Sequence, residues 1–247
     1  MSVAYGADMN IILCHGSWYG PGSWARLAAE LEHAGHSTTA VTYPGDAGDG
    51  TPASDIHLSS YVDAVVAAID ASTGPVTLVG HSMGGTVISH AADRRPDAVE
   101  RSIYISAFLL PEGQSLFAFS QSAPEFATSL LPAHLVIDEE HGVSSIAEDG
   151  FREAFAADAD DETYAWARSQ AQQDYLEPSG TPAHYEGGFA RVPRFYVETT
   201  EDRAVPVEAQ RAMQKLGVEA VASVAGSHSA YITRPAEVAA AILGFAS

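Results

Sequence analysis

An α/β fold, a mostly parallel sheet with helices on both faces, is predicted by three features of this chain. Short apolar runs alternate with segments of helical periodicity at both ends of the sequence. One such run, Pro75-Val76-Thr77-Leu78-Val79, leads into Gly80-His81-Ser82-Met83-Gly84, a serine between glycines at a strand-to-helix junction. Between them, residues 111–192 carry no strong strand run, yet a structureless loop of that length is improbable in a compact domain.

The elements follow in order. Residues 11–14 read as a buried strand, and Trp24, Leu27, Ala28 and Leu31 keep helical spacing up to a stop at Gly35. Residues 38–43 are β-branched enough for a second strand. Leu58, Tyr61, Val62, Val65, Val66 and Ile69 form a helical stripe, then comes the strand at 76–79 and a helix after the serine turn. A buried run at 103–108 closes the first half. The pattern resumes with a strand at 195–197, a helix through Ala209, Met213 and Leu216, and a strand at 218–225. Pro235 opens a last helix with Val238, Ala239, Ile242 and Leu243 inward. Strands alternating with helices of this length imply parallel βαβ units. We therefore expect a core of residues 1–110 and 193–247, and a mainly helical cap at 111–192 placed over the carboxyl ends of the strands.

Bulk properties exclude several function classes. Of 247 residues, 46% are hydrophobic and only 18% charged, so a sizeable core is available. The formal net charge of −20 repels phosphate backbones and anionic lipid, which argues against nucleic-acid or membrane partners. Cys14 is the single cysteine, so neither an intrachain disulfide nor a cysteine metal cluster can form. The ten histidines show no zinc-ligand spacing, and no phosphate-cradling loop is present, so neither metal nor cofactor is expected. Residues 1–10 lack a signal-peptide pattern and no apolar stretch reaches membrane-spanning length, which makes a cytoplasmic protein the default expectation.

The serine turn supplies the chemistry. A serine hydroxyl is a weak nucleophile without an adjacent base. His228 in Gly226-Ser227-His228-Ser229 follows the last strand, at the same sheet edge as Ser82. Asp202 in Thr200-Glu201-Asp202 follows the preceding strand and can orient that histidine, with Glu201 as the alternative acid. The chain order Ser82, Asp202, His228 is nucleophile, acid, base. Acyl transfer also needs oxyanion donors, expected from the Met83 N–H and from the Ser17 N–H in His15-Gly16-Ser17-Trp18. Gly16 would let the backbone approach the substrate, His81 would flank it, and Trp18, Phe117 and Trp166 are candidates for lining its pocket. Taken singly, each has a plainer reading as a turn glycine, a loop histidine or a core aromatic; their joint placement carries the weight.

These residues resemble a known group. Ile12-Leu13-Cys14-His15-Gly16-Ser17-Trp18-Tyr19-Gly20-Pro21-Gly22-Ser23-Trp24 is similar to the N-terminal motif of the plant methylesterases and hydroxynitrile lyases of the α/β-hydrolase superfamily, and to their bacterial esterase relatives. The Gly80-to-Gly85 turn, Thr200-Glu201-Asp202 before Val205-Pro206, and Gly226-Ser227-His228 before Pro235 resemble the same group, while residues 111–192 show no match. The resemblance implies an α/β-hydrolase fold with a six-stranded sheet beginning at Ile11, a cap, no cofactor and often a homodimer. The lyases carry threonine where this chain has Gly16 and lysine where it has Ser229. That departure argues for hydrolysis of a small, mostly apolar ester (methyl, aryl or lactone) through a Ser-His-Asp triad. A cofactor-free lyase or dioxygenase, or a ligand receptor with an idle triad, are the alternatives.

Overall fold

The computed structural model describes residues 8–246. In chain order it contains β1 (Asn10–Cys14), α1 (Ala25–His33), β2 (Ser37–Ala40), α2 (Leu58–Ala71), β3 (Val76–His81), α3 (Gly84–Arg94) and β4 (Val99–Ile105). Then follow α4 (Leu116–Ser122), α5 (Leu131–His134), β5 (Leu135–Asp138), β6 (Val143–Ile146), α6 (Glu148–Phe155), α7 (Asp161–Ser169), β7 (Asp174–Tyr175) and α8 (Leu176–Gly180). The chain finishes with β8 (Arg194–Thr199), α9 (Val207–Gln214), β9 (Ala220–Val224), α10 (Ala230–Thr233) and α11 (Pro235–Gly244). Residues 1–7, on which the leaderless N-terminus was read, and residue 247 lie outside the described residues.

Six strands form one wholly parallel sheet in the order β2-β1-β3-β4-β8-β9. The period-2 geometry of a strand divides its apolar residues between two cores. Ile12 and Cys14 of β1 face the layer of α2, α3 and α9, with Val62, Val65, Val87 and Met213. Ile11 and Leu13 face the layer of α1, α10 and α11, with Leu27, Leu31, Val238 and Ile242. Because every strand runs the same way, the loops after β1, β3, β8 and β9 emerge at one edge, which brings residues remote in sequence together.

Strand ends differ from the pattern for physical reasons. β2 stops at Ala40 rather than 43: it is the sheet's exposed edge, and the chain turns away before Pro44, which has no N–H to pair. β4 begins at Val99 and ends at Ile105, whereas the apolar run spans 103–108. Ser106 takes φ +46°, the Phe108 N–H donates to Ser82 O at 2.9 Å, and residues 107–110 are buried beneath the serine turn instead of extending the ladder. An apolar run therefore marked burial, and the polar start of β4 is paired all the same.

Residues 111–192 leave the sheet after β4 and return before β8. They hold helices α4–α8 and an antiparallel sheet, β5-β6-β7, that a mainly helical reading did not anticipate. The hairpin signal was present in Leu135-Val136-Ile137 and in Gly142 at φ +67° before Val143. Both runs are short, and Val136 and Ile137 are each 50% exposed, so they do not read as buried strands.

Candidate active site

Ser82 sits between β3 and α3 at φ +52°, a left-handed conformation that non-glycine residues rarely adopt. The surrounding backbone holds it there. The Ser82 N–H donates to Ile105 O (3.3 Å), and Ser82 O accepts from Gly85 N–H (3.0 Å) and Phe108 N–H (2.9 Å). The flanking glycines answer to steric closeness: a Cβ on Gly80 would stand 2.7 Å from Gly84 O, and one on Gly84 only 2.3 Å from Cys14 O. Any side chain at either position would push β1, β3 and α3 apart.

His228 and Asp202 meet as expected of a base and its orienting acid. The His228 Nδ1–H donates to Asp202 Oδ2 at 2.8 Å, with both side chains at most 1% exposed. Asp202 accepts four further hydrogen bonds. Its Oδ1 takes the Ala204 and Val205 N–H groups at 2.8 Å each, and its Oδ2 takes Thr199 Oγ1–H and Gln210 Nε2–H at 3.1 Å each. Gln210, fully buried, was absent from the sequence reading: it looks like a polar residue on a helix, and only β8 packed against α9 reveals its contacts. Glu201, the alternative acid, is exposed. The edge of Phe155 packs on the His228 ring (5.4 Å, 74°), while Phe155 O accepts from Ser227 Oγ–H and Ser229 N–H.

On the other side of Ser82 lies the loop after β1. A Cβ on Gly16 would stand 2.6 Å from Ser82 Cβ, so only glycine lets this loop lie against the serine. Among the described residues, neither the Ser17 nor the Met83 N–H donates to a protein acceptor, as a pair of oxyanion donors requires. The His15 Nε2–H donates to Asp46 Oδ2 at 3.0 Å, both groups being buried. Trp18, at φ +60°, donates through Nε1–H to Ser144 Oγ at 3.1 Å.

A cavity of 580 Å³ opens above Ser82. Ser17, Trp18, Phe108, Phe117, Phe126 and Leu131 are among the residues that line it, and among the described residues no charged side chain does. Of the expected lining residues, Trp18 and Phe117 are there. Trp166 is not: its ring lies under the Arg26 guanidinium, 4.8 Å away, on the outer layer. His81 is not either, being fully buried behind the site, where its Nε2–H donates to His228 O at 3.0 Å. Burial, with His228 beside it, keeps His81 well below its usual pKa, so it serves as a neutral prop. Gly16 backs the serine without lining the cavity. The lining from α4 to β5 was illegible because one sequence does not tell which side of a short helix faces inward.

Beside the loop, Asp174 of β7 is a buried acid with no place in the sequence reading. Burial pushes its carboxyl up to about 6, against the opposing pull of the nearby Ser17 hydroxyl and Tyr175 N–H. Since this value exceeds the unfolded one, about 3.9, the carboxyl costs the fold nothing below about pH 3, where both states are protonated, and only a few tenths of a kcal/mol at about pH 4. The cost grows as pH rises and is complete above about pH 6, on the order of 3 kcal/mol. Asp174→Asn is therefore expected to match the unaltered protein in urea unfolding at pH 4 and to be the more stable of the two at pH 7.5. Equal stability at both pH values would refute this.

Among the described residues, no group of three or more His, Cys, Asp or Glu is arranged to hold a metal ion, and no helix is long and apolar enough to cross a membrane. Residues 11–241 match the model of the Alpha/beta hydrolase family. A pyrethroid hydrolase of Sphingobium wenxiniae is 31% identical over 248 residues, covering 96% of this chain and 87% of that one. Methylesterase 7 of Arabidopsis thaliana is 27% identical, covering 95% and 93%. The crystal structure of a pyrethroid hydrolase from Sphingobium faniae superposes with a TM-score of 0.85 at 28% identity, over 97% of this chain and 98% of the other.

Proposed function

We propose, from the premise that this chain belongs to the alpha/beta hydrolase family and is a carboxylic ester hydrolase, that it cleaves uncharged, mainly apolar esters through an acyl-enzyme on Ser82. The observation that carries the substrate class is the 580 Å³ cavity above Ser82, walled mainly by aromatic and aliphatic side chains with neutral serines and Gln121 among them, and by no charged side chain among the described residues. On a protein of net charge −20, a site without a single ionised wall residue selects against charged ligands by desolvation alone. The volume suits a drug-sized ester with bulk on both sides of the carbonyl. Residues 111–192 act as the cap that supplies most of this wall.

In the reaction, His228 Nε2 takes the proton of Ser82 Oγ as that oxygen bonds to the ester carbonyl carbon. Charge moves to the carbonyl oxygen, where the Ser17 and Met83 N–H groups receive it. Asp202 steadies the resulting imidazolium through Nδ1–H. Collapse breaks the bond to the alkoxide, which leaves with the His228 proton as an alcohol. Water, deprotonated by the same nitrogen, then attacks the acyl-enzyme, and the acid departs as Ser82 regains its proton. Cyanohydrin cleavage is the poorer reading. Gly16 has no room for the lyases' threonine, and Ser229 is committed to Tyr19 by a 3.1 Å hydrogen bond between the two hydroxyls.

A panel of esters tests the substrate class. Neutral aryl and methyl esters, and a pyrethroid as the relatives' names suggest, are expected to turn over. Matched esters bearing a carboxylate or sulfonate on the acyl ring should fall by at least about 100-fold in kcat/KM, since burying an unpaired charge costs several kcal/mol. Equal or better turnover of the charged esters would overturn the proposal.

A further inference from the structure

The cap does more than wall the cavity, because one of its residues is built into the loop that carries the Ser17 N–H. Gln172 lies between α7 and β7 and is hydrogen-bonded to two separate loops of the core. Its backbone N–H donates to Trp18 O at 2.9 Å, and its Nε2–H₂ donates to Tyr19 O at 3.2 Å and to Asp46 Oδ1 at 2.7 Å. Its Oε1 accepts from the Ala47 N–H at 3.1 Å. Tyr19 also pairs with Ala171 in an antiparallel bridge. Asp46 in turn takes the His15 Nε2–H at 3.0 Å and the Tyr43 N–H at 2.6 Å. The segment from His15 to Tyr19 is thus fastened at both ends, through His15–Asp46 at one and through Trp18 and Tyr19 at the other. Gln172 joins the two fastenings.

A loop with positive φ at Trp18 has no ladder to define it, so its position must come from such ties. Oxyanion donors stabilise charge only when they stand close to the developing oxygen, and a displacement near 1 Å costs about 100-fold. An adjacent tie, from Trp18 Nε1–H to Ser144 Oγ, comes from the same inserted segment. From this geometry we propose that Gln172 is a positioning residue of the oxyanion hole: by joining Asp46 to Trp18 and Tyr19, it sets where the Ser17 N–H stands. The inference rests on the reading of Ser17 as an oxyanion donor in an esterase.

Gln172→Met keeps the side chain's size and removes its three side-chain hydrogen bonds while the backbone bond to Trp18 O remains, and Gln172→Glu replaces the donors with a carboxylate facing Asp46. In both, kcat for p-nitrophenyl acetate is expected to fall roughly 10- to 100-fold with KM changed less than about threefold. Affinity for a trifluoromethyl ketone, which places an oxyanion in the hole, should fall in parallel. Amide hydrogen exchange at residues 15–19 should quicken about tenfold or more while β3 and β4 stay protected. A role confined to holding the cap would lower the melting temperature yet leave kcat and exchange at 15–19 unchanged, and that outcome overturns the inference. Exchange is read without substrate, so it still decides the matter if the unaltered protein proves inactive on esters, a result that would count against the esterase reading alone. If Gln172→Met does not fold, Gln172→Glu carries the same measurements.

Discussion

Ser82→Ala is expected to abolish ester turnover, lowering kcat/KM for p-nitrophenyl acetate roughly 10⁴- to 10⁶-fold. The melting temperature should move by only a few degrees. The strained turn is held by backbone hydrogen bonds, the Ser82 N–H donating to Ile105 O and Ser82 O accepting from the Gly85 and Phe108 N–H groups, none of which involves the hydroxyl. Alanine keeps the Cβ and these bonds and loses only the nucleophile. What activity remains would come from the oxyanion donors and the cavity acting on attacking water. A variant retaining a tenth of the original rate would mean that Ser82 Oγ is not the attacking atom.

Asp202→Asn should cost about 10⁴-fold in kcat/KM, close to the loss from removing the serine. The reason lies in the donors that surround the carboxylate. The Ala204 and Val205 N–H groups both point at Oδ1, so the asparagine oxygen must stay there. Its NH₂ then faces His228 Nδ1 and the Gln210 amide. His228 is forced to carry its proton on Nε2, where it can no longer take one from Ser82. The clash of the new NH₂ with Gln210 Nε2–H₂ should also lower stability by about 1–3 kcal/mol in urea unfolding. Glu201→Gln, one residue away on the exposed side, serves as the control and should stay within twofold of the unaltered rate. The reverse ranking of the two variants would transfer the acid's role to Glu201.

Much of this architecture is readable from residue order. The alternation of apolar runs and helical stripes fixes parallel connectivity, because a parallel strand pair needs a crossover helix. Glycine at 16, 80 and 84 points to close backbone approach before any contact is seen, since each excludes a Cβ. Strand ends are less legible. β4 starts at Val99 and runs through the polar stretch Glu100-Arg101-Ser102, where β3 on one side, joined by β8 from Ser102 on, supplies pairing that apolarity does not signal. Least legible are the polar residues that act through others. Gln172, Asp174 and Gln210 look like solvated positions in the sequence, yet Gln172 is held by Asp46 and Ala47, Gln210 by Thr199 and Asp202, and Asp174 is buried.

The sequence by itself determined the parallel sheet, the strand-to-helix turn at Ser82 and the chain order of the candidates Ser82, Asp202 and His228, because each of these is imposed by local geometry: a period of two, a turn only glycine permits, a residue placed at the end of a strand. Tertiary structure alone decided which side chains of residues 111–192 stand over the serine, placing Phe117 in the wall and Trp166 under Arg26. It also decided that His81 is a buried prop, and that a cap glutamine ties down the loop bearing Ser17. Those outcomes depend on how short helices without strong periodicity rotate and dock against the core. That choice is made by packing and by the satisfaction of buried polar groups across the whole chain, and no local pattern records it.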